Sequence, residues 1–203
     1  MPSYKLSYFD VRGRGELSRY LFLAAGRDFK EHRIPRAEWP NVKQTLVYGQ
    51  VPVLEVDGKQ LAQSNAIARF LAREFGLAGK NSWEEALCDQ TLELISDLRQ
   101  EFVKYFFEKD EEKKKEAGKN LNDVVYPKFF GYFEKQLDNN GGKYLVGSEL
   151  TVADLAVYAV IDTAVQNTEN LLDKHVKLRA HRDMVGAIPK IQEYVSNRKK
   201  TDI

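Results

Sequence analysis

The spacing of apolar residues changes several times over residues 4–34. Residues 4–9 alternate in the way typical of a short strand, and the glycine-containing run at 12–15 ends that alternation. Apolar residues then recur at helical spacing over 17–24, and Gly26 stands where the C-terminal cap of a helix is expected. A second short strand is predicted over 29–34. This part of the chain therefore predicts a β-α-β unit.

Residues 53–62 carry the clearest local signal, that of a β-hairpin. Two short strand-like runs flank Asp57-Gly58, a pair that readily adopts the positive φ angles of a two-residue turn. Apolar side chains then repeat at helical spacing over 67–75, behind Ser64 as the candidate N-cap and ahead of Gly76. The predicted order of the first half is β-α-β, an irregular connection, and then β-β-α.

Beyond a linker at 77–83 the pattern is helical, and no strand is predicted. Pro127 falls inside one predicted helix and should bend or divide it, whereas Pro189 suits the first turn of the last helix. The mixed-charge run at 109–116 is interpreted as a solvated helix end or connection. The predicted helices cover 84–108, 119–137, 152–166, 173–185 and 189–199.

One helix start is specified by several residues together. Thr151 and Asp154 form a capping box, with Asp in place of the more usual Glu, and Leu150 and Leu155 can pack together across the start of the helix. We interpret this group as a stabilised helix terminus in the second half of the chain, and not as a chemical site.

Composition and charge then narrow the class of protein. The 203 residues include 31 Lys+Arg and 30 Asp+Glu, a net charge of +1, which argues against a nucleic-acid binder. A hydrophobic content of 43% predicts a folded globular chain. No apolar run reaches the roughly 20 residues of a membrane span, and no signal-peptide core is visible at the start, so no membrane partner is expected. With Cys88 as its one cysteine, the chain suits a reducing, cytoplasmic compartment.

Familiar catalytic motifs are missing from the chain. It contains no nucleophile elbow, P-loop, zinc-protease motif or dinucleotide-binding fingerprint. His32, His175 and His181 are scattered at spacings that do not predict a metal site, so no metal is expected. Cys88 lies among apolar residues of a predicted helix and is interpreted as a packed thiol, not a reactive one.

Polar and aromatic side chains gather instead near the predicted strand ends of the first half. Tyr8 stands at the end of the first strand, and Gln63-Ser64 lies at a helix start, where backbone N–H groups and the helix dipole can receive a carboxylate. Each of these residues also has an ordinary structural explanation, and spacing alone leaves both interpretations open. The other members of the set are Arg14, Trp39, Lys43 and Gln50-Val51-Pro52.

Taken in order, these residues resemble the glutathione transferase family, in particular its sigma-like class and that class's nematode relatives, over essentially the whole chain. The resemblance implies an α/β N-terminal thioredoxin-like domain over 1–78 and an all-α C-terminal domain over 79–203, assembled as a homodimer. It is carried by Tyr8 with Arg14, Trp39-Pro40, Lys43, Gly49-Gln50-Val51-Pro52, Gln63-Ser64, Asp97 and Leu150-Thr151-Val152-Ala153-Asp154.

The resemblance also implies a role for each residue in binding glutathione. Tyr8 is expected to donate its hydroxyl to the glutathione sulfur and so stabilise the thiolate, with Arg14 adding positive potential. The Val51 backbone is expected to pair with the cysteinyl unit beside a cis bond to Pro52, although the sequence alone favours trans. The glycyl carboxylate is expected at Trp39, Lys43 and Gln50, and the γ-glutamyl end at Gln63 and Ser64.

Asp97 has two possible interpretations. On the predicted helix it shares a polar stripe with Glu101 and Lys104, which is typical of a solvated face. In the family the matching aspartate reaches the γ-glutamyl amine bound on the partner subunit. The resemblance therefore implies that the dimer completes its own active sites.

The implied activity is that of a glutathione S-transferase, which conjugates glutathione to hydrophobic electrophiles in detoxification. The pocket for the second substrate is expected at Phe9, Gly13, Lys104 and Tyr105. No cysteine stands near Tyr8, so the reactive sulfur must come with the ligand, and dithiol exchange is excluded.

Three relatives of this fold offer alternative functions. A glutathione-dependent prostaglandin D isomerase usually has an aromatic residue in the pocket where this chain has Lys104. A carrier of haem or another hydrophobic ligand would bind its ligand independently of Tyr8. A structural crystallin of the same descent is disfavoured, because Tyr8 and the full set of glutathione contacts are intact.

Overall fold

The computed structural model describes residues 2–168 and 170–201. Their packing divides into two compact units, one of residues 2–78 with 187–201 and the other of 79–168 with 170–186. Residues 187–201 therefore pack with the first unit, whereas our prediction grouped them with the helical domain. The limits 1–78 and 79–203 describe domains in the evolutionary sense and stay a prediction. Within the described residues, no helix is both long and apolar enough to cross a membrane.

A four-stranded sheet forms the centre of the first unit. Its strands lie in the order β2-β1-β3-β4, with β1 and β2 parallel and the other two pairs antiparallel. Asp57 and Gly58 have φ angles of 48° and 82°, as the predicted hairpin turn requires. The strands are β1 (Tyr4–Phe9), β2 (Lys30–Ile34), β3 (Val53–Val56) and β4 (Lys59–Ala62).

Helices make up most of the rest of the described chain. The predicted fold class, a thioredoxin-like α/β unit followed by a helical one, is confirmed. In chain order the helices are α1 (Glu16–Ala24), α2 (Trp39–Val42), α3 (Ser64–Glu74), α4 (Ser82–Phe106), α5 (Glu111–Asn120), α6 (Tyr126–Asn139), α7 (Val152–Asn167), α8 (Val176–Gly186) and α9 (Pro189–Asn197).

In the first unit, α1 packs against both α3 and α9. Leu6 and Leu54 from the sheet, and Tyr20 and Leu21 from α1, are fully buried. Burial of such side chains is the main favourable contribution to folding, and here it fixes the sheet on which the strand-end residues stand.

Two predictions for the first unit need correction. Ser64 is not the N-cap of α3 but its first helical residue; the cap position belongs to Gln63, whose φ of 72° is left-handed and whose carbonyl accepts the N–H of Ile67. The irregular connection also contains regular structure, namely α2 and a 3₁₀ turn over Lys43–Thr45. Both segments are too short to produce a helical period in the sequence.

The second unit confirms the effect predicted for Pro127 and corrects the prediction for the charged run before it. The helix predicted over 119–137 is divided, because a π-helical turn over Leu121–Val125 precedes α6, and Pro127 lies in the first turn of α6. The mixed-charge run is not merely a helix end: Asp110 caps a separate helix, α5, by accepting the N–H of Lys113. The sequence did not predict α5 as a separate helix, because its residues show little apolar periodicity.

The capping box at the start of α7 is confirmed. The Asp154 carboxylate accepts the N–H of Thr151 at 2.8 Å, and the Thr151 side chain in turn accepts the backbone N–H of Asp154. The same carboxylate accepts the N–H of Leu145 at 2.8 Å and lies 2.9 Å from Nε2 of His181. Asp154 is fully buried, so these contacts replace its hydration.

Candidate functional site

Tyr8 stands at the end of β1 beside Arg33 of β2 and is 8% exposed. The backbone N–H of Arg14 donates a hydrogen bond to the Tyr8 hydroxyl oxygen at 2.9 Å. This bond occupies an oxygen lone pair and leaves the hydroxyl hydrogen to be donated elsewhere. It also makes the hydroxyl a better donor, because hydrogen bonds in a chain polarise one another.

Two glycines let the chain pass close to the Tyr8 ring. A Cβ on Gly13 would lie 2.5 Å from the Tyr8 hydroxyl, and a Cβ on Gly15 would lie 2.7 Å from Cδ1 of the ring. Gly13 also has a φ of +41°, a conformation that favours glycine. The 3₁₀ turn over Gly13–Gly15 can therefore bring the Arg14 N–H to the hydroxyl only because glycine stands on both sides of Arg14.

A row of aromatic rings joins the end of β1 to the start of α2. The Tyr8 and Phe9 rings have centroids 5.9 Å apart, and Phe9 meets Trp39 edge-on at 4.9 Å. Trp39 is the first residue of α2 and is half-buried. The first unit thus brings Tyr8, Phe9, Gly13 and Trp39 together, as a shared site would require.

The Lys43 side chain lies beside Gly49, the residue that precedes Gln50. A Cβ on Gly49 would lie 3.3 Å from both Cγ and Cε of Lys43, so the lysine stem lies across this glycine. Both Lys43 and Gln50 are exposed. Gln60 of β4 fixes the same segment from the sheet, because its side chain accepts the N–H of Val47 at 2.9 Å and donates to the carbonyl of Thr45 at 3.2 Å.

The segments before β3 and before α3 carry the remaining strand-end residues. The peptide bond between Val51 and Pro52 is cis, as the resemblance implies. Gln63 is exposed and Ser64 half-buried at the start of α3, where the first-turn N–H groups have no partners within the helix. This helix start carries partial positive charge and can receive a carboxylate.

Arg19 is a functional candidate that the sequence analysis missed. Its side chain is 1% exposed, yet it pairs with the carboxylates of Glu16 at 2.7 Å and Glu31 at 2.5 Å. Its guanidinium carbon lies 5.9 Å from the centroid of the Tyr8 ring. Burial lowers the pKa of Arg19, but the two carboxylates raise it by more, so this residue stays charged. An arginine inside the apolar pattern of α1 was the signal that could have found it.

Three of the predicted residues lie on α4 in the second unit. Asp97 is exposed and lines a groove of about 580 Å³ together with residues of α6 that include Tyr132. Lys104 pairs with Glu101 at 2.7 Å, in keeping with the predicted polar stripe. Tyr105 is half-buried, and a Cβ on Gly118 of α5 would lie 3.0 Å from its ring. The place of Asp97, Lys104 and Tyr105 in a site shared with Tyr8 stays a prediction.

Cys88 is a buried thiol, and two of the histidines lie beside carboxylates. Cys88 is 1% exposed, and burial raises its pKa to about 11, which fits the predicted packed thiol. His175 lies 2.9 Å from Glu134, and His181 lies 2.9 Å from Asp154. Among the residues that the structure describes, no cluster of three or more histidine, cysteine, aspartate or glutamate side chains is placed to hold a metal ion.

Comparison with known proteins gives consistent matches along the chain. Residues 4–73 match the glutathione S-transferase N-terminal domain, and residues 96–198 match the glutathione S-transferase C-terminal domain. A probable glutathione S-transferase 7 of Caenorhabditis elegans is 40% identical over 99% of both chains. The hematopoietic prostaglandin D synthase of Gallus gallus is 42% identical over 100% of both chains.

A solved structure agrees with these sequence matches. The crystal structure of a monomeric glutathione S-transferase from the hookworm Necator americanus superimposes with a TM-score of 0.93 at 35% identity, covering 99% of this chain and 100% of that one. The fold is that of a thioredoxin-like α/β unit joined to a helical unit. The chain belongs to the glutathione S-transferase family. It is a transferase that uses glutathione as co-substrate, and the predicted enzyme class is confirmed.

Proposed function

We propose that Tyr8 is the residue that activates glutathione, by donating its hydroxyl hydrogen to the thiolate sulfur. The observation that carries this proposal is the 2.9 Å hydrogen bond from the Arg14 N–H to the Tyr8 oxygen. That bond orients the hydroxyl and strengthens it as a donor. A donor aimed at the sulfur favours the charged form, so a larger share of bound glutathione is thiolate at neutral pH. The exposed Arg14 side chain adds positive potential.

The carboxylates of glutathione are assigned to the remaining strand-end residues of the first unit. The glycyl carboxylate is assigned to Trp39, Lys43 and Gln50, a proposal supported by the lysine stem lying across Gly49. The γ-glutamyl carboxylate is assigned to the start of α3, at Gln63 and Ser64, where first-turn N–H groups favour an anion. The cysteinyl unit is assigned to the Val51 backbone, next to Pro52.

The second substrate is a hydrophobic electrophile, and the reaction is conjugation. The thiolate sulfur forms a bond to an electrophilic carbon, and a leaving group such as chloride departs with the electrons of the bond that breaks. Phe9 and Gly13 supply one side of the substrate pocket, next to the Tyr8 hydroxyl. Lys104 and Tyr105 of α4 are also assigned to the binding of this substrate. Among the family's activities, the exposed Lys104 favours conjugation over prostaglandin isomerisation.

We assign the protein to the sigma-like class, as a cytoplasmic homodimer. The class is supported by the Tyr8 and Arg14 arrangement and by the identity to the chicken prostaglandin D synthase. The dimer is supported by exposed apolar side chains on both units, among them Tyr48 at 67% and Tyr132 at 44%, because such surface is typical of protein contacts. The compartment is supported by the single, buried thiol of Cys88.

Conjugation of 1-chloro-2,4-dinitrobenzene by a Tyr8→Phe variant tests the proposed function. We expect the KM for glutathione to change little and kcat to fall roughly 10- to 100-fold, as expected for loss of a hydrogen bond to a charged group. The absorbance of bound thiolate near 240 nm should fall in parallel. A Tyr144→Phe variant, made in the second unit, is the matched control and should keep wild-type turnover. Unchanged turnover in Tyr8→Phe would contradict the assignment.

A further inference from the structure

Residues 194–201, which we call the C-terminal latch, are bound to the chain on both sides of the turn beside Tyr8. Lys199 donates to the carboxylate of Asp10 at 3.1 Å, and Nη2 of Arg12 donates to the carbonyl of Thr201 at 2.8 Å. The bond from Lys199 is the main reason that the pKa of Asp10 is lowered, so this contact is ionic at neutral pH. The latch therefore contacts the residues that lead directly into Gly13–Gly15.

Buried contacts connect the latch to α1 as well. Nη1 of Arg198 donates to Oε1 of Glu16 at 2.7 Å and to the hydroxyl of Tyr20 at 2.6 Å. The Tyr194 hydroxyl donates to the other carboxylate oxygen of Glu16 at 3.1 Å. Burial and the Glu16 charge raise the pKa of Tyr194 to about 12, so its hydroxyl keeps its proton. Glu16 is 2% exposed, and the latch supplies two of its donors.

Arg19 connects Glu16 to the residues that lead into the turn. Its Nη1 donates to Glu16 at 2.7 Å and also to the carbonyls of Val11 at 3.0 Å and Arg12 at 3.3 Å. The Arg19 guanidinium lies beside the Tyr8 ring. A continuous set of buried, charge-assisted bonds thus runs from Arg198 through Glu16 and Arg19 to the turn, and bonds of this kind are stronger than those between neutral groups.

We propose that the C-terminal latch, through Arg198, is a positioning device for Tyr8: it holds residues 10–12 and the turn over Gly13–Gly15 that follows them, so that the Arg14 N–H stays on the Tyr8 hydroxyl oxygen. Arg198 is a positioning residue and not a catalytic one. The inference rests on the proposed role of Tyr8. Without Arg198, the buried Glu16 keeps Arg19 but loses its other charged partner. The Glu16 carboxylate that anchors Arg19 is then held less firmly, so the turn can move away from the hydroxyl.

The experiment measures the pKa of the bound glutathione thiol, by titrating its absorbance near 240 nm, in Arg198→Gln, Arg198→Lys and the full-length wild type. We expect Arg198→Gln to raise that pKa by about half a unit to one unit, which is roughly a 3- to 10-fold fall in the acid dissociation constant of the bound thiol and the same loss of thiolate at pH values well below that pKa. The KM for glutathione should change less than twofold. Arg198→Lys, which keeps a cation beside Glu16, should recover most of the thiolate. Lys200→Gln, at an exposed neighbouring position, is the control and should match wild type.

Two further variants keep the outcomes distinct. The Lys199 side chain is 71% exposed, so the Lys199→Gln variant should fold. It removes the contact with Asp10 and should raise the pKa of the bound thiol by less than Arg198→Gln does. This variant tests the inference if Arg198→Gln does not fold. Tyr8→Phe is the reference. If it raises the thiol pKa but the latch variants that fold do not, the latch is only structural and the inference is overturned. If Tyr8→Phe itself leaves the thiol pKa unchanged, the proposed function fails.

Discussion

The backbone N–H of Arg14 lies 2.9 Å from the hydroxyl oxygen of Tyr8, and this bond joins the strand end to the turn that follows it. It fixes a tyrosine hydroxyl without using the hydroxyl's own hydrogen. The arrangement depends on a close approach of backbone to ring that only a glycine at position 13 permits, since a Cβ there would lie 2.5 Å from the same oxygen.

Substitution of Gly13 by Ala should therefore damage catalysis as well as stability. The new Cβ must displace the Tyr8 hydroxyl or the turn, so we expect kcat for conjugation to fall about tenfold or more, together with a loss of about 1–3 kcal/mol of stability from the left-handed backbone. Gly58→Ala is a matched control, because Gly58 also has a positive φ, of +82°, but has no atom within 4 Å of its Cβ position. It should lose stability and keep turnover. Equal turnover in the two variants would show that the close approach has no catalytic effect.

The proposed role of Asp97 across a dimer can be tested with mixed dimers. A Tyr8→Phe subunit and an Asp97→Asn subunit, carrying different affinity tags, are co-expressed, and the mixed dimer is purified on both tags. If Asp97 acts on the partner's glutathione, one site in the mixed dimer is intact and the other lacks both residues. We expect about half of the wild-type kcat with a wild-type KM for glutathione.

A role for Asp97 within its own subunit would give a different result. If Asp97 acts within its own subunit, neither site in the mixed dimer is intact, and its activity should match that of the impaired homodimers. A wild-type chain that sediments as a monomer at assay concentration would contradict the dimer itself.

The buried pair of Asp154 and His181 should dominate the stability of the second unit. Asp154→Ala removes the acceptor for two backbone N–H groups and for His181, so we expect a loss of about 3–5 kcal/mol in urea unfolding. Thr151→Ala removes only the cap and should cost about 1 kcal/mol. Asp183→Ala, on the exposed side of α8, is the control and should stay within about 0.5 kcal/mol of wild type. Similar losses for Asp154→Ala and Asp183→Ala would contradict this view.

Cys88 should resist alkylation while the protein is folded. Burial raises its pKa from 9.0 to about 11, so little thiolate forms at pH 8.5. Iodoacetamide at that pH should leave the native chain unlabelled for hours, as measured by intact mass, whereas the chain unfolded in guanidinium should be labelled within minutes. Cys88→Ala should stay unlabelled in both conditions. Rapid labelling of the native chain would show that the thiol is accessible.

The raised pKa of Cys88 also makes the free energy of unfolding depend on pH in the alkaline range. The unfolded thiol titrates near its ordinary value of 9.0, whereas the folded thiol keeps its proton to about pH 11. Because the folded pKa is raised, the contribution is fully present below about pH 9 and is lost as the pH rises towards 11. The difference in free energy of unfolding between wild type and Cys88→Ala should shrink over that window, as followed by urea titration, and no pH dependence of the difference would contradict the shift.

Local signals in the sequence predicted the elements whose conformation depends on near neighbours. The Asp57-Gly58 hairpin, the division at Pro127 and the capping box of Thr151 and Asp154 each follow from the conformational limits or hydrogen bonds of a few adjacent residues. Where those signals were weak, prediction failed: α5 has almost no apolar stripe, and the start of α3 is set by a left-handed Gln63 that no composition rule favours.

The amino-acid sequence by itself determined the strands, most of the helices and, through the ordered motifs, the family, because these depend on periodicity and on residue types that stay next to one another along the chain. The tertiary structure alone decided that the Gly13 and Gly15 backbone lies against the Tyr8 ring and that Arg198 shares the carboxylate of Glu16 with Arg19. Residues 16 and 198 are far apart in sequence, and nothing in either local pattern encodes the partner. Packing of α9 against α1 brings the two charges together, and burial makes that contact strong.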